Sequence, residues 1–250
     1  MSMQSAVQYF LALSCLPFLL SACTPQHTVP NKAPKVLQPI IQNNQIVLNP
    51  STTSPSASYK KQWSFTPPAD YMMWTNTQAD RARLKDYENY LAANRVASAI
   101  PMHQLLKSAR SWEKCGRSPY AIPSPELWGN ALPTLKIIQY LADTQVLRDF
   151  EVTSVYRDYS LNLCAGGAAG SKHVYNSAID FRLGPEFGAT IQDQLLIEDT
   201  KIKLCQFWHQ HGATLNMGLG VYSTGQIHID TQGYRTWGPD LTRGSSICNY

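Results

Sequence analysis

The chain is 250 residues long, 44% hydrophobic and 15% charged, which suits one domain of ordinary size with tails, or two small domains. Its net charge of +4 is mild, and the absence of a long Lys/Arg run argues against a nucleic-acid groove. So small a positive excess fits an ordinary solvated surface as well as contact with an anionic polymer or membrane.

The first residues carry an address. Residues 9–22 are mostly Leu, Ala, Ser, Phe and Cys, and no charged side chain precedes Lys32. This apolar run is short for a membrane span and has the length of a signal peptide's hydrophobic region. It ends in Leu20-Ser21-Ala22-Cys23, which resembles a bacterial lipobox. Residues 1–22 are therefore expected to be a lipoprotein signal peptide and Cys23 the lipidated residue. Residues 1–8 depart from that pattern in lacking Lys and Arg, so a plain secreted protein or an uncleaved anchor is the alternative. Thr24, not Asp, follows the cysteine, and by resemblance to Gram-negative lipoproteins this gives an outer-membrane address in the bacterial cell envelope, on the periplasmic side. If Cys15 leaves with the signal and Cys23 is acylated, Cys115, Cys164, Cys205 and Cys248 remain. An even number in an oxidising compartment reads as two disulfides, with three pairings open. No Cys-x-x-Cys occurs, so a structural zinc cluster is not expected.

Residues 23–62 are rich in Pro, Ser, Thr, Asn and Gln and read as a flexible tether. The domain proper is expected over 63–250. Thr77 and Asp80 have capping-box spacing and predict a helix from Thr77 towards Ala97, with Leu84, Tyr87 and Leu91 as its apolar stripe. A short helix follows Pro101, with Met102, Leu105 and Leu106 on one side. Ser124-Pro125-Glu126 reads as an N-cap and N1 proline opening a helical region through Leu141, which Pro133 is expected to kink or split. Residues 151–156, 178–182 and 226–230 alternate and read as strands, and a helix over 191–211 stops at Gly212. The expected fold is one α+β domain. A small, mainly antiparallel sheet carries the site and is flanked by helices, with an α-helical N-terminal part at 63–150.

Histidine is scarce, with six in the chain. Asp180 lies on a predicted strand whose period of two separates Ala178, Asp180 and Arg182 from Ile179 and Phe181. A carboxylate among such apolar neighbours needs a partner, and a divalent metal is one. In Gln226-Ile227-His228-Ile229-Asp230 the isoleucines again point one way and the polar residues the other. With His173 seven residues before Asp180, these strands can form a metal floor. A simple His–carboxylate pair is equally compatible with this spacing.

Four ordered blocks add to that reading: Thr153-Ser154-Val155-Tyr156-Arg157; Ser171-x-His173-x6-Asp180; Gly218-Leu219-Gly220-Val221-Tyr222 followed by Ile227-His228-Ile229-Asp230; and Tyr234-Arg235-Thr236-Trp237-Gly238. Together they resemble the zinc D-Ala-D-Ala carboxypeptidase family, the VanY-like peptidases. That group includes murein endopeptidases and shares its fold with the hedgehog signalling domain. The resemblance covers roughly residues 130–240. It implies a Zn2+ cofactor held by His173, Asp180 and His228, with a fourth position left for water. It implies Arg157 as the holder of a substrate carboxylate or oxyanion, and Ser171 as a partner of the ligand region. A surface ion pair of Arg157 with Asp158 or Glu151 is the alternative.

Two positions depart from the family pattern. Asn176 stands where a turn glycine is usual, and Asn tolerates the left-handed conformation. Gly225 stands where several relatives have an acid three residues before the last His. Asp230 is nominated instead, as catalytic base or as orienter of His228. Pairing Cys115 with Cys164 would anchor the Gly-rich loop 165–170 beside the site and leave Cys205 for Cys248.

The expected function is a zinc-dependent peptidase of peptidoglycan stem peptides, a D,D-carboxypeptidase or endopeptidase, monomeric and tied to the membrane by its lipid, with no nucleic-acid partner. Two rivals are a non-catalytic peptidoglycan-binding lipoprotein of the same fold with a structural or vestigial zinc site, and an envelope structural protein whose His and Asp residues are incidental.

Overall fold

The computed structural model describes residues 66–250 apart from 78, 98, 99 and 188. The expected signal peptide, Cys23, the expected tether and residues 63–65 lie outside the described residues.

The N-terminal part is helical. Helix α1 (Ala69–Thr77) was not expected, and Thr77 ends it instead of opening the next helix. Asp80 is the N-cap residue of α2 (Arg81–Ala93), but its side chain makes no capping bond and pairs with Arg83 at 2.8 Å. Leu84, Tyr87 and Leu91 form the buried stripe, and α2 stops four residues short of Ala97. A single turn, α3 (Met102–Leu105), follows Pro101. A 3-10 turn over Pro125–Leu127 leads into α4 (Trp128–Asp143), which Pro133 does not split. Ser124 does not cap this turn; its hydroxyl donates to Glu126 Oε1 at 2.6 Å.

The sheet is built from β1 (Phe150–Ser154), β2 (Ala178–Leu183), β3 (Gly218–Val221), β4 (Gln226–Asp230) and β5 (Arg235–Trp237), in the order β1-β2-β4-β3-β5. All neighbours are antiparallel except β3 and β5, so the sheet is mainly antiparallel as expected. β1 ends two residues earlier than predicted, because Val155 N turns away to bond Lys107 O. Two helices lie between strands. The short α5 (Tyr159–Cys164) is capped by Asp158, which accepts from Leu161 N, and the long α6 (Ile191–His211) opens with a Thr190–Asp193 capping box. Gly212 ends α6 but keeps a helical backbone, and the left-handed turn comes at Asn216, with φ 52°.

One core joins the two parts. Tyr87, Leu91, Leu135 and Ile138 from the helices belong to the same buried cluster as Val152, Ile179, Phe181, Leu204, Trp208, Leu219 and Ile229. Each such side chain contributes roughly 1.5–3 kcal/mol when fully buried. Polar ties reinforce the join: Thr134 Oγ1 donates to Ser177 O at 2.9 Å, and Asn176 Nδ2 donates to Leu127 O at 3.2 Å. The described helical part that precedes β1 therefore supports the loop that enters β2.

The disulfides are Cys115–Cys164 and Cys205–Cys248, the pairing preferred above. The second is fully buried and fastens the C-terminal segment to α6. It closes a loop of 43 residues, which in the chain-entropy account stabilises the fold by about 4 kcal/mol. Replacing both Cys205 and Cys248 by Ala should lower the unfolding free energy by about that amount in urea titration. A change within error would show that the C-terminal segment does not depend on the bridge.

Candidate metal centre

Pairing across the sheet arranges the site in two rungs. In the first, Ser154, Asp180, His228, Gly220 and Trp237 are successive partners from β1 to β5. In the second, Ala178, Asp230, Gly218 and Arg235 are partners from β2 to β5. A bulge in β1 between Val152 and Ser154 brings Ser154 opposite Asp180. The two β3 glycines are needed by close approach. A Cβ on Gly220 would lie 2.6 Å from the Trp237 indole, and one on Gly218 would lie 2.7 Å from Arg235 Nη1 and from Asp230 Oδ2. Without side chains on β3, Trp237 reaches His228 (ring centroids 5.1 Å apart) and Arg235 reaches Asp230.

His173 comes from the turn before β2. Asn176 holds that turn with φ 55°, the left-handed backbone expected of it. Donor atoms of His173, Asp180 and His228 all lie within 4.8 Å of one another, so the group can hold a metal ion. His173 Nδ1 is 2.6 Å from Val155 O, and a carbonyl only accepts, so Nδ1 carries the proton and Nε2 is bare. His228 Nε2 is 2.9 Å from Asp230 Oδ2, a carboxylate oxygen that takes its proton as a hydrogen bond. The remaining nitrogens, His173 Nε2 and His228 Nδ1, both face Asp180 Oδ1, at 3.1 and 2.8 Å. Two ligands about 2.05 Å from one tetrahedral ion stand about 3.3 Å apart, close to these separations. Each imidazole also has its second nitrogen fixed by an acceptor, as metal-bound histidines do.

The electrostatics agree. Burial pushes the Asp180 carboxyl up, but the His173 and His228 imidazoles outweigh it and hold the group well below the usual carboxylate range. Burial pushes His173 down, against the pull of Asp180. Burial opposes charge on His228 too, yet hydrogen bonds to Asp180 and Asp230 raise its pKa to about 9. Without a metal, a proton on His228 Nδ1 bridges to Asp180, while the bare His173 Nε2 meets the same oxygen with no proton between them.

The other expected residues sort themselves by contact. Arg157 pairs with neither Asp158 nor Glu151. Its Nη2 is 2.6 Å from Asp180 Oδ2 and its Nε donates to Ser154 Oγ at 2.8 Å, so it holds the carboxylate oxygen that the histidines leave. Ser171 lines the cleft, but its hydroxyl makes no hydrogen bond to His173, Asp180 or His228 among the described residues; the Val155 carbonyl orients His173 instead. Asp230 is wholly buried and takes bonds from His228, Gln232 N and both terminal nitrogens of Arg235. Burial raises its pKa, but His228 and Arg235 prevail and hold it at about 2. Its geometry is that of an orienter of His228. Gly225 has φ +81° in the β3–β4 turn, where an acidic side chain would be strained.

The sequence reading had assigned no role to Arg235 and Trp237, although period-two spacing within their block puts both on one face. Arg110 was missed altogether, because it lies in a segment without a motif. The site opens into a cleft of about 730 Å³. Five cationic side chains line it, Arg110, Arg157, Lys172, Arg235 and Arg243, and Asp180 is the sole carboxylate among the described lining residues.

Two outcomes are expected. Asp230→Asn should weaken divalent-metal affinity by roughly 10–100-fold, measured by competition with a chromophoric chelator, with the circular dichroism spectrum unchanged. At pH 7, below the His228 pKa of about 9, binding must displace that proton. Affinity should then fall about tenfold per unit as pH drops, with close to one proton released in calorimetry across buffers of different ionisation enthalpy. Comparison of the chain with protein-family models, with curated proteins and with solved structures finds no match in any of the three.

Proposed function

We propose that the chain is a zinc-dependent peptidase acting on peptidoglycan stem peptides, as a D,D-carboxypeptidase or an endopeptidase. The observation that carries this reading is the convergence of His173 Nε2, His228 Nδ1 and Asp180 Oδ1 at a cleft wall. Two imidazole nitrogens and one carboxylate oxygen suit zinc, whereas calcium and magnesium prefer oxygen ligands. Bound there, zinc would supply a Lewis acid that polarises a carbonyl and acidifies water.

The chain's own residues supply the rest. Asp230 accepts the His228 Nε2 proton and strengthens Nδ1 as a ligand. Arg157 confines Asp180 to one free oxygen and lays positive charge where an oxyanion would form. Tyr222 accepts from Trp237 Nε1 at 2.8 Å, which leaves its own O–H to donate into the cleft that it lines. A lipid on Cys23 and the tether to residue 62 would let a monomeric domain reach the wall from the outer membrane.

A second reading, a non-catalytic peptidoglycan-binding lipoprotein, is favoured by one observation. Asp230 is fully bonded and Gly225 carries no acid, so no second carboxylate faces the metal position among the described residues.

Mass spectrometry of muropeptides incubated with zinc-loaded protein separates the two. Cleavage products are expected, and EDTA or His173→Ala should abolish them. Zinc and sacculus binding without product would establish the second reading, and cleavage surviving both treatments would overturn the metal-dependent one.

A further inference from the structure

The cations around the cleft are not equivalent. Arg157 is committed to Asp180 and Ser154, Arg235 to Asp230, and Arg243 to Asn249 Oδ1 at 3.0 Å. Arg110 is exposed, lines the cleft, and has no hydrogen-bond or ion-pair partner among the described residues. Its field reaches the floor, since it acts on both Arg157 and Tyr222.

Its backbone is held firmly. Ser154, the β1 member of the metal rung, hydrogen-bonds Ser108 O, and Ser108 N donates to Pro119 O at 2.9 Å. Val155 N donates to Lys107 O at 2.8 Å, and Cys115–Cys164 ties the stretch that follows Arg110 to the end of α5, where the loop that lines the cleft begins. Arg110 also lines a second cavity of about 320 Å³ beside the first, bordered by Lys107, Trp112, Tyr120 and Glu151. Among the described residues, Arg110 alone lines both cavities.

We propose that Arg110, and not Arg157, is the residue that recognises a free carboxylate on the bound ligand. A guanidinium with no internal partner can give its planar fork to a carboxylate in two parallel hydrogen bonds, which a lysine ammonium cannot match. Arg157 then acts on the ligand only through Asp180 and the field at the floor. This assignment rests on the reading of the cleft as a peptide site, but not on turnover.

The test is calorimetric binding of zinc-loaded protein to a stem tetrapeptide with a free terminal carboxylate and to its terminal amide. Wild-type protein should prefer the acid by at least about tenfold. Arg110→Gln should remove that preference while leaving amide affinity and zinc stoichiometry unchanged; Arg110→Lys should restore part of it, and Lys172→Gln should keep it. A preference that survives Arg110→Gln, or disappears with Lys172→Gln, overturns the assignment, as does a wild type that binds acid and amide alike. Binding with the expected preference but no cleavage would leave the assignment standing and remove only the peptidase reading.

Discussion

In the antiparallel pairing of β2 with β4, Asp180 stands directly opposite His228, and side chains so opposed lie about 5 Å apart on one face of a sheet. The rest of the site depends on this register. A slip of one residue would put Ile227 or Ile229 opposite Asp180 and send His228 to the buried face. The core prevents it: Ile179, Phe181, Ile227 and Ile229 are all essentially inaccessible on the other face. The apolar half of each strand therefore positions the polar half. The bulge in β1 extends the alignment by one strand, and the bare backbone of Gly218 and Gly220 extends it by two more.

What surrounds the three donors is as specific as the donors. The His173 ring is oriented by a backbone carbonyl, the His228 ring by Asp230, and the Asp180 carboxylate by Arg157. Asp230 would itself be a buried, repelling charge were it not for Arg235. Removing any one of these leaves a desolvated polar group without its partner, which costs more than the missing bond alone. The site is thus held in place by a chain of obligations that runs from β5 back to the start of the β1–α5 loop.

Much of this arrangement was legible in the residues. Strands β2 and β4 and helix α6 were found because alternation and helical period are strong there, and His173, Asp180 and His228 because polar groups interrupt apolar strands. The turn at Asn176 was also readable, since few residues other than Gly accept that backbone. The failures have physical causes. At Thr77 a capping-box spacing was read forwards, whereas its hydroxyl bonds back to Met73 O and Trp74 O and closes α1. β3 and β5 are four and three residues long, too short for alternation to stand out, and two of the β3 residues are glycine. The partner of His173 is a carbonyl, which no side-chain pattern marks. Arg110 reaches the cleft only because segments distant in sequence fold together.

Charge then limits what the cleft can accept. Asp180 with Arg157, and Asp230 with Arg235, are neutral pairs, so these four side chains add no net charge to the site. A divalent ion on two neutral imidazoles would add two positive charges, and Arg110, Lys172 and Arg243 contribute three more at the walls. Removing water from such a cleft is favourable only if the ligand supplies negative charge in return. A neutral peptide would leave the ion and these side chains undercompensated, whereas one carrying a carboxylate would compensate Arg110 as it binds. The floor of the cleft is thus paired internally, and its uncompensated charge sits at the walls, where Arg110 offers a planar fork that Lys172 lacks.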